Sequence, residues 1–386
     1  MTESAVIVEA VRAPVGRKKG ALAGVHPADL SATVLNELVA RAGIDPGVVD
    51  DVIWGCVQQV SEQAIDIART AVLTAGWPES VPGVTVDRQC GSSQQALNFA
   101  AAGVIAGHYD VVVAGGVESM SRVAMGSSTS VGESPFSSAY RRRYDGVVPN
   151  QGVGAEMIAR KWGFTRTDVD AYAARSHERA AAAQDSGLFA EQTVPVPTPG
   201  GQLVGADEGI RRGTTVETLA TLKPVFDADG VIHAGNASQI SDGSAALLVM
   251  SETAAHRHGL RPIARIHTAV VTGDDPVIML TGPIPATQKA LAKSGLALTD
   301  IGAFEVNEAF ATVPLAWIAE TGADPALVNP NGGAIALGHP LGGSGARIAT
   351  DLIFHMRRNG IRYGLQTMCE GGGQANATIF ELLEDQ

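Results

Sequence analysis

Cysteine is scarce in this chain: three residues, Cys56, Cys90 and Cys369, in 386 positions. An odd number cannot all pair, and none of them has the close CxxC spacing of a structural zinc site. Free thiols imply a reducing compartment, and the cytoplasm fits best. Long apolar runs are also missing. No stretch reaches the roughly 18 residues needed to span a bilayer, and the opening MTESAVIVEAVRAPVGRKKG has no basic flank followed by an apolar signal core. Neither a membrane partner nor a secretory leader is therefore expected. Positive charge is in short supply too: 28 Lys and Arg against 40 Asp and Glu leave a net charge of -12. That balance disfavours a chain whose main business is neutralising phosphate backbones, so nucleic acid is not an expected partner, although a local basic pocket could still hold one phosphorylated cofactor.

What is present describes a folded chain of more than one unit. Hydrophobic residues make up 45% and charged residues 18% of the sequence, and 386 residues exceed one ordinary core, so two or three packed units are expected. SAVIVEAVR and DVIWGCV read as strands, and PADLSATVLNELVARAG between them has apolar residues at helical spacing and ends at Gly43. This is a βαβ beginning. After GVTVDRQ and a helix that starts near Cys90 comes YDVVVAGGVESM, a buried strand running out into Gly115 and Gly116. The C-terminal third repeats the order strand, Gly-rich turn, helix, strand, glycines in DIGAFEVNEAF, PALVNPNGGAIALGHPLGGSGARIATDLIFHM and YGLQTMCEGGGQANATIFEL. Duplication of a βαβ-containing unit follows, and it would set Cys90 and the C-terminal glycine loops across one seam.

The segment from about 119 to 241 differs in texture. SSTSVGESPFSSAYRRRYDGVVPNQG is polar and loop-like, an acid- and Ala-rich helix follows around 167–186, and VPVPTPGGQLVG reads as an extended connector or hairpin edge. An insertion is the simplest account. Arg141, Arg142 and Arg143 are expected on a solvated face or a subunit contact.

Four positions have residue types and settings suited to chemistry. Cys90 stands where a strand ends and a helix begins, beside the small residues Gly91, Ser92 and Ser93; a helix N-terminus favours thiolate over thiol. His339 lies in the glycine-dense loop NPNGGAIALGHPLGGSGAR, where a neutral imidazole could take the Cys90 proton. Cys369 ends an apolar strand before Glu370 and three glycines, and could either pack in the core or exchange protons at carbon. Asn307, in FEVNEAFA, could donate to an oxyanion or simply cap a helix. Cys56, in an apolar run, is expected to be a packed small hydrophobe. Cys90, Cys369 and His339 are all zinc-ligand types, but they lack paired spacing and further ligands, so no metal is expected.

RQCGSSQQA at 88–96, NEAFA at 307–311, GHPLGGSGAR at 338–347 and CEGGGQA at 369–375 occur in that order, with GNAS at 235–238 and TGPIPA at 281–286 between them. On these blocks the chain resembles the thiolase family over essentially its full length. The resemblance implies an α/β fold of two duplicated layered halves with mixed five-stranded sheets and an inserted loop domain. It implies an N-terminal domain at 1–118 with 242–265, a loop domain covering the coenzyme A site at 119–241, and a C-terminal domain at 266–386. Carried over by motif, Cys90 is the acyl-accepting nucleophile, His339 its base and Cys369 the acid/base at carbon. Asn307, through a water, and His339 would form one oxyanion hole, and the backbone N–H groups of Cys90 and Gly371 the other. Ser238 and Ala234 would lie along the pantetheine arm, Arg211 near the nucleotide end, and Phe310 and Met279 would be pocket walls.

The implied activity is that of a degradative 3-ketoacyl-CoA thiolase, an acetyl-CoA C-acyltransferase of fatty-acid or steroid side-chain β-oxidation. The alternative is an acetoacetyl-CoA thiolase condensing two acetyl units. Coenzyme A would be a substrate rather than a permanently bound cofactor, and a homo-oligomer, dimer or tetramer, is implied. A non-catalytic acyl-CoA binder would need neither thiol, and a decarboxylating ketoacyl synthase would have a second histidine or an asparagine where Cys369 stands. Asn150 and Gln151 replace the His-Met pair of short-chain biosynthetic members, which speaks against short-chain specialisation. Glu370 replaces an apolar residue; turned inward it would raise the Cys369 pKa, but as a strand-end side chain it is expected to face solvent.

Overall fold

The computed structural model describes residues 3–130 and 132–383. Its first half runs β1 (Ala5–Arg12), β2 (Gly16–Arg17), α1 (Pro27–Ala42), β3 (Asp51–Gly55), α2 (Ile67–Thr74), β4 (Val84–Val86), α3 (Ser92–Ile105) and β5 (Val111–Ser119). A mostly helical excursion follows: α4 (Ser138–Arg143), α5 (Gln151–Trp162), α6 (Arg166–Asp185), a hairpin of β6 (Val196–Pro197) and β7 (Leu203–Val204), and α7 (Val216–Ala220). The chain re-enters the sheet as β8 (Ser241–Ser251), followed by α8 (Glu252–Arg257). The second half comprises β9 (Ala264–Gly273), α9 (Pro283–Ser294), β10 (Ala303–Val306), α10 (Thr312–Thr321), α11 (Ala334–Leu337), α12 (Ser344–Asn359), β11 (Tyr363–Glu370) and β12 (Gln374–Leu382).

Local sequence explains the element ends. Helix α1 starts with Pro27 after His26, whose Nδ1 accepts from Ala28 N at 3.1 Å, and stops at Gly43 with φ 67°. Helix α6 opens with a capping box in which Thr165 and Asp168 satisfy each other's backbone N–H groups. The prolines of VPVPTPGG confine β6 and β7 to a two-strand hairpin off the main sheet, one of the two forms expected for that run.

Duplication is visible in the topology. The sheet order is β10-β11-β12-β9-β1-β8-β5-β3-β4, with β2 paired to β8. In the first half β3 is parallel to β4 and β5, and β5, β8 and β1 then alternate antiparallel. In the second half β10 is parallel to β11, and β11, β12 and β9 alternate in the same way. The counterpart of β4 is reduced to one parallel bridge, Phe304 to Val328. The halves join where β1 meets β9 antiparallel through Val6–Arg265 and Ile7–Ala264. The predicted βαβ opening is real but wide: β8 and β5 lie between β1 and β3.

Helices α3 and α12 occupy corresponding places in the two halves and share one apolar cluster that includes Ala96, Leu97, Ala100, Ala349 and Leu352. Their small residues allow very close approach: a Cβ on Gly345 would fall 2.2 Å from Gln94 N. Gly342, just before α12, is wedged equally tightly, with a virtual Cβ 2.5 Å from Val117 O and 2.7 Å from Gly55 O. Glycine is required there by backbone on all sides.

Buried polar groups tie the excursion to this frame. Arg12, fully buried, donates to both oxygens of Asp207 (2.8 and 2.9 Å) and to Asp351 Oδ1 (3.0 Å). Glu308 accepts from Tyr172 and Ser176 of α6 (3.0 and 2.7 Å) and from Ile335 N of α11 (3.1 Å). Arg141, Arg142 and Arg143 lie exposed on α4, as a solvated face requires. Cys56 is fully buried in the first-half core, as expected. Among the described residues no helix is long and apolar enough to cross a membrane.

Candidate active site

Cys90 closes a tight turn between β4 and α3. Gln89 before it has φ 48°, uncommon for a non-glycine residue, and its N–H donates to Asp87 Oδ1 at 2.6 Å; Ser92 Oγ accepts from Arg88 N at 2.9 Å. The turn delivers Cys90 to the start of α3, where Gly91 is the N-cap. The helix terminus alone does not make the thiolate the resting form. Burial, and then the nearby charge of Glu370, push the Cys90 thiol up to about 12, and these outweigh the helix terminus, whose effect is modest and local. A base is therefore needed to ionise it.

His339 can be that base. It is buried between α11 and α12, and burial, with Arg347 nearby, lowers it to about 3, so the imidazole is neutral. Its tautomer follows from its partners. Ser344 Oγ lies 2.9 Å from Pro340 O and 2.6 Å from His339 Nδ1. The hydroxyl has one proton, which Pro340 O accepts, so it must accept from Nδ1–H. The lone pair is then on Nε2, which lies 3.4 Å from Asn307 Nδ2.

Asn307 and Cys369 are neighbours because β10 and β11 run parallel: Asn307 N donates to Thr367 O at 3.1 Å, and the Asn307 side chain offsets part of the rise in the Cys369 pKa. Cys369 is buried, and its thiol is raised well above the ordinary value by burial, then by Cys90 and Glu370. Cys90, Cys369, Asn307 and His339 thus form one connected group, assembled from the strand ends and helix starts of both halves. Gly371 belongs to the same turn region, with Gln89 packed over it: a Cβ on Gly371 would lie 2.9 Å from Gln89 Oε1.

The remaining predicted residues fall into two places. Arg211, Ala234 and Ser238 line a cavity of 460 Å³ together with Arg17, Lys18, Glu208 and Gln239. Met279 and Phe310 pack with Cys369 in an apolar cluster, and Phe310 stacks edge-on against Phe226 at 6.1 Å. Glu370 corrects the sequence expectation. It is fully buried rather than facing solvent, because the start of α3 lies over it and Gly91 there, lacking a Cβ, leaves room for the carboxyl.

Three contributors escaped the sequence reading. Ser344 sets the His339 tautomer; a hydroxyl five residues beyond a loop histidine was the available signal. Glu118, an acid in an otherwise apolar strand, accepts from Val57 N, Gln63 Nε2 and Gly342 N (2.9, 2.8 and 2.9 Å) and so clamps the His339 loop to the first half. Gln151, noted only as a departure from a pattern, places Nε2 4.0 Å from the Cys90 sulfur.

The chain matches the thiolase N-terminal domain over residues 5–253 and the thiolase C-terminal domain over 260–382. It is 52% identical over 390 residues to a steroid 3-ketoacyl-CoA thiolase, FadA6, of Mycobacterium tuberculosis, covering 99% of this chain and 95% of that protein. It is 48% identical over 391 residues to the 3-ketoacyl-CoA thiolase FadA of Escherichia coli, covering 98% and 99%. A crystal structure of the Bacillus anthracis acetyl-CoA acetyltransferase superposes with a TM-score of 0.91 at 40% identity, covering 99% of both chains. The chain belongs to the thiolase family and is an acyltransferase.

Proposed function

We propose that this chain is a degradative 3-ketoacyl-CoA thiolase, cleaving 3-ketoacyl-CoA with coenzyme A in fatty-acid or steroid side-chain β-oxidation. The observation that carries the reading is the pair of buried thiols, Cys90 and Cys369, at the place where Asn307 Nδ2 lies 3.4 Å from Nε2 of a buried, neutral His339. The relatives named above at 48% and 52% identity support it.

In this reading His339 Nε2 takes the Cys90 proton as the sulfur adds to C3 of the substrate. The C2–C3 bond then breaks, and its electron pair passes into the thioester enolate. Asn307, through a water, and His339 stabilise one oxyanion, and the N–H groups of Cys90 and Gly371 the other; one such donor is worth about 3–4 kcal/mol. Cys369 protonates the enolate carbon, releasing acetyl-CoA. Cys369, now a thiolate, takes the proton of a second coenzyme A thiol, whose sulfur attacks the acyl group on Cys90; the Cys90 sulfur leaves and regains its proton from His339, and the shortened acyl-CoA departs, which gives ping-pong kinetics. Coenzyme A would lie with its nucleotide end near Arg211 and its pantetheine arm along Ala234 and Ser238, with Met279 and Phe310 walling the acyl pocket. The division into 1–118 with 242–265, 119–241 and 266–386 would make the middle unit the cover of this channel.

A homo-oligomer, dimer or tetramer, is part of the proposal. Phe99 and Ile105 on α3 and Val84 on the sheet-edge strand β4 are exposed apolar residues, 47%, 48% and 43% accessible, and Phe99 and Val84 line one surface pocket. Sedimentation at micromolar concentration checks it, a monomer being the adverse result. The three buried free thiols suit a reducing cytoplasm.

The decisive experiment compares initial thiolysis rates on acetoacetyl-CoA, a medium-chain 3-ketoacyl-CoA and a steroid side-chain 3-ketoacyl-CoA. Preference for either larger substrate supports the reading, and strong preference for acetoacetyl-CoA replaces it with the short-chain alternative. Normal turnover after stoichiometric alkylation of Cys90 would remove the cysteine mechanism altogether.

A further inference from the structure

Glu370 has no task in the reaction just described, yet it is among the most constrained side chains near it. The pleat of β11 alternates its residues, so Met368 and Glu370 share one face while Thr367 and Cys369 share the other. Met368 packs in the apolar cluster that contains Cys90, and Cys369 packs with Met279 and Phe310. Glu370 therefore lies on the Cys90 side, under the first turn of α3. A Cβ on Gly91 would fall 1.9 Å from Glu370 Oε1 and 2.7 Å from its Cδ. The side chain is wholly buried, and neither carboxyl oxygen makes a hydrogen bond of good geometry within the protein. The side chain of the neighbouring Asn376 gives its Nδ2–H to Gly91 O at 3.1 Å instead.

We propose that Glu370 is a positioning residue for the proton of the Cys90 nucleophile: its buried carboxyl sets the charge that the sulfur meets on ionising. With a proton in place the carboxyl is silent; without it, the negative charge opposes the thiolate. The proposal rests on the reading of Cys90 as the nucleophile. An isolated carboxylate at this depth is unfavourable, and burial pushes Glu370 up to about 8, with the charge of Arg88 and the backbone N–H of Asn376 offsetting part of the rise and Asp87 adding to it. The charges felt at Cys90 are those of Glu370 and, more weakly, Glu118, with the Gln151 amide near the sulfur; those felt at Cys369 are Cys90 and Glu370. Near neutral pH the protonated carboxyl leaves His339 free to ionise Cys90. Above pH 8 the same carboxyl becomes a brake.

The test is the pH dependence of Cys90 alkylation by iodoacetamide, followed at the Cys90 peptide by mass spectrometry from about pH 6 to 10, on the full chain. In Glu370→Gln the profile should move to lower pH by at least about half a unit, which is about a threefold faster alkylation at a fixed pH near 9. Glu370→Asp, which keeps an acid, should retain most of the suppression. Arg88→Gln removes the charge that favours the Glu370 carboxylate, so the carboxyl keeps its proton to higher pH and alkylation between about pH 8 and 9 should become faster. A Glu370→Gln profile superimposable on wild type overturns the proposal; should that variant fail to fold, an unchanged Arg88→Gln profile overturns it instead. A merely structural role for Glu370 would move neither profile. The alkylation readout does not depend on turnover, so if Cys90 were not the thiolysis nucleophile, alkylated enzyme would keep its activity while the profile shift remained.

Discussion

Gly342→Ala is the sharpest test of how the two halves build one site. The new Cβ would lie 2.5 Å from Val117 O, 2.6 Å from Cys56 Cα and 2.7 Å from Gly55 O, where ordinary contacts begin at 3.4 Å. All three obstacles are backbone in strands β3 and β5 or at their ends, so the loop between His339 and α12 must retreat by roughly 0.7–0.9 Å, the shortfall from ordinary contact. That retreat also stretches the bond from Gly342 N to Glu118, 2.9 Å in the native fold. Overpacking of this kind costs about 1–3 kcal/mol in stability, and a displacement near 1 Å of a reacting group can cost about 10²-fold in rate. Steady-state thiolysis should therefore show kcat down by about two orders of magnitude, with the thermal midpoint lowered as well. The control is Gly205→Ala, where a Cβ meets nothing within 4 Å and the variant should match or slightly exceed wild type in stability. A Gly342→Ala enzyme with kcat within about threefold of wild type would refute the claim that this contact sets the position of His339.

Other consequences can be checked separately. Ser344→Ala frees the His339 tautomer and should lower kcat by about 10²-fold with KM nearly unchanged; a loss under about threefold would mean that Ser344 does not set it. Arg12→Met leaves Asp207 and Asp351 buried without their shared cation and should cost about 3–5 kcal/mol, read as a loss of midpoint in chemical denaturation. His177 is held neutral, lowered to about 4 by burial and the charge of Arg211, whereas the unfolded chain takes up a proton below pH 6.5. Stability from this group is thus present above pH 6.5 and falls as pH drops toward 4, by about 2–3 kcal/mol at about pH 4.5. His177→Gln should flatten the drop in thermal midpoint across that same acid range, and an identical drop in both proteins would be the adverse result.

Much of the site could be read from local pattern. Cys90 at a strand-to-helix turn, His339 in a glycine-dense loop and Cys369 at the end of an apolar strand were all legible, because each motif combines a reactive residue with small neighbours. The helix observed at 166–185 was legible for a local reason too, a change of composition. Glu370 was misread because strand-end position predicts solvent only when nothing covers the strand, and the cover here comes from α3, about 280 residues earlier in the chain. The resting state of Cys90 was not legible for a related reason: the helix terminus is local, while burial and the Glu370 charge are not.

By itself the order of residues determined which groups could do chemistry and which segments would be strands, turns and helices, since these depend on side-chain type and on neighbours a few positions away. Tertiary structure decided their state and company. The tautomer of His339, the resting thiol of Cys90 and the hidden carboxyl of Glu370 all depend on exclusion of water and on partners from the other half, and burial energies are set by what packs across the seam rather than by what lies next in the chain.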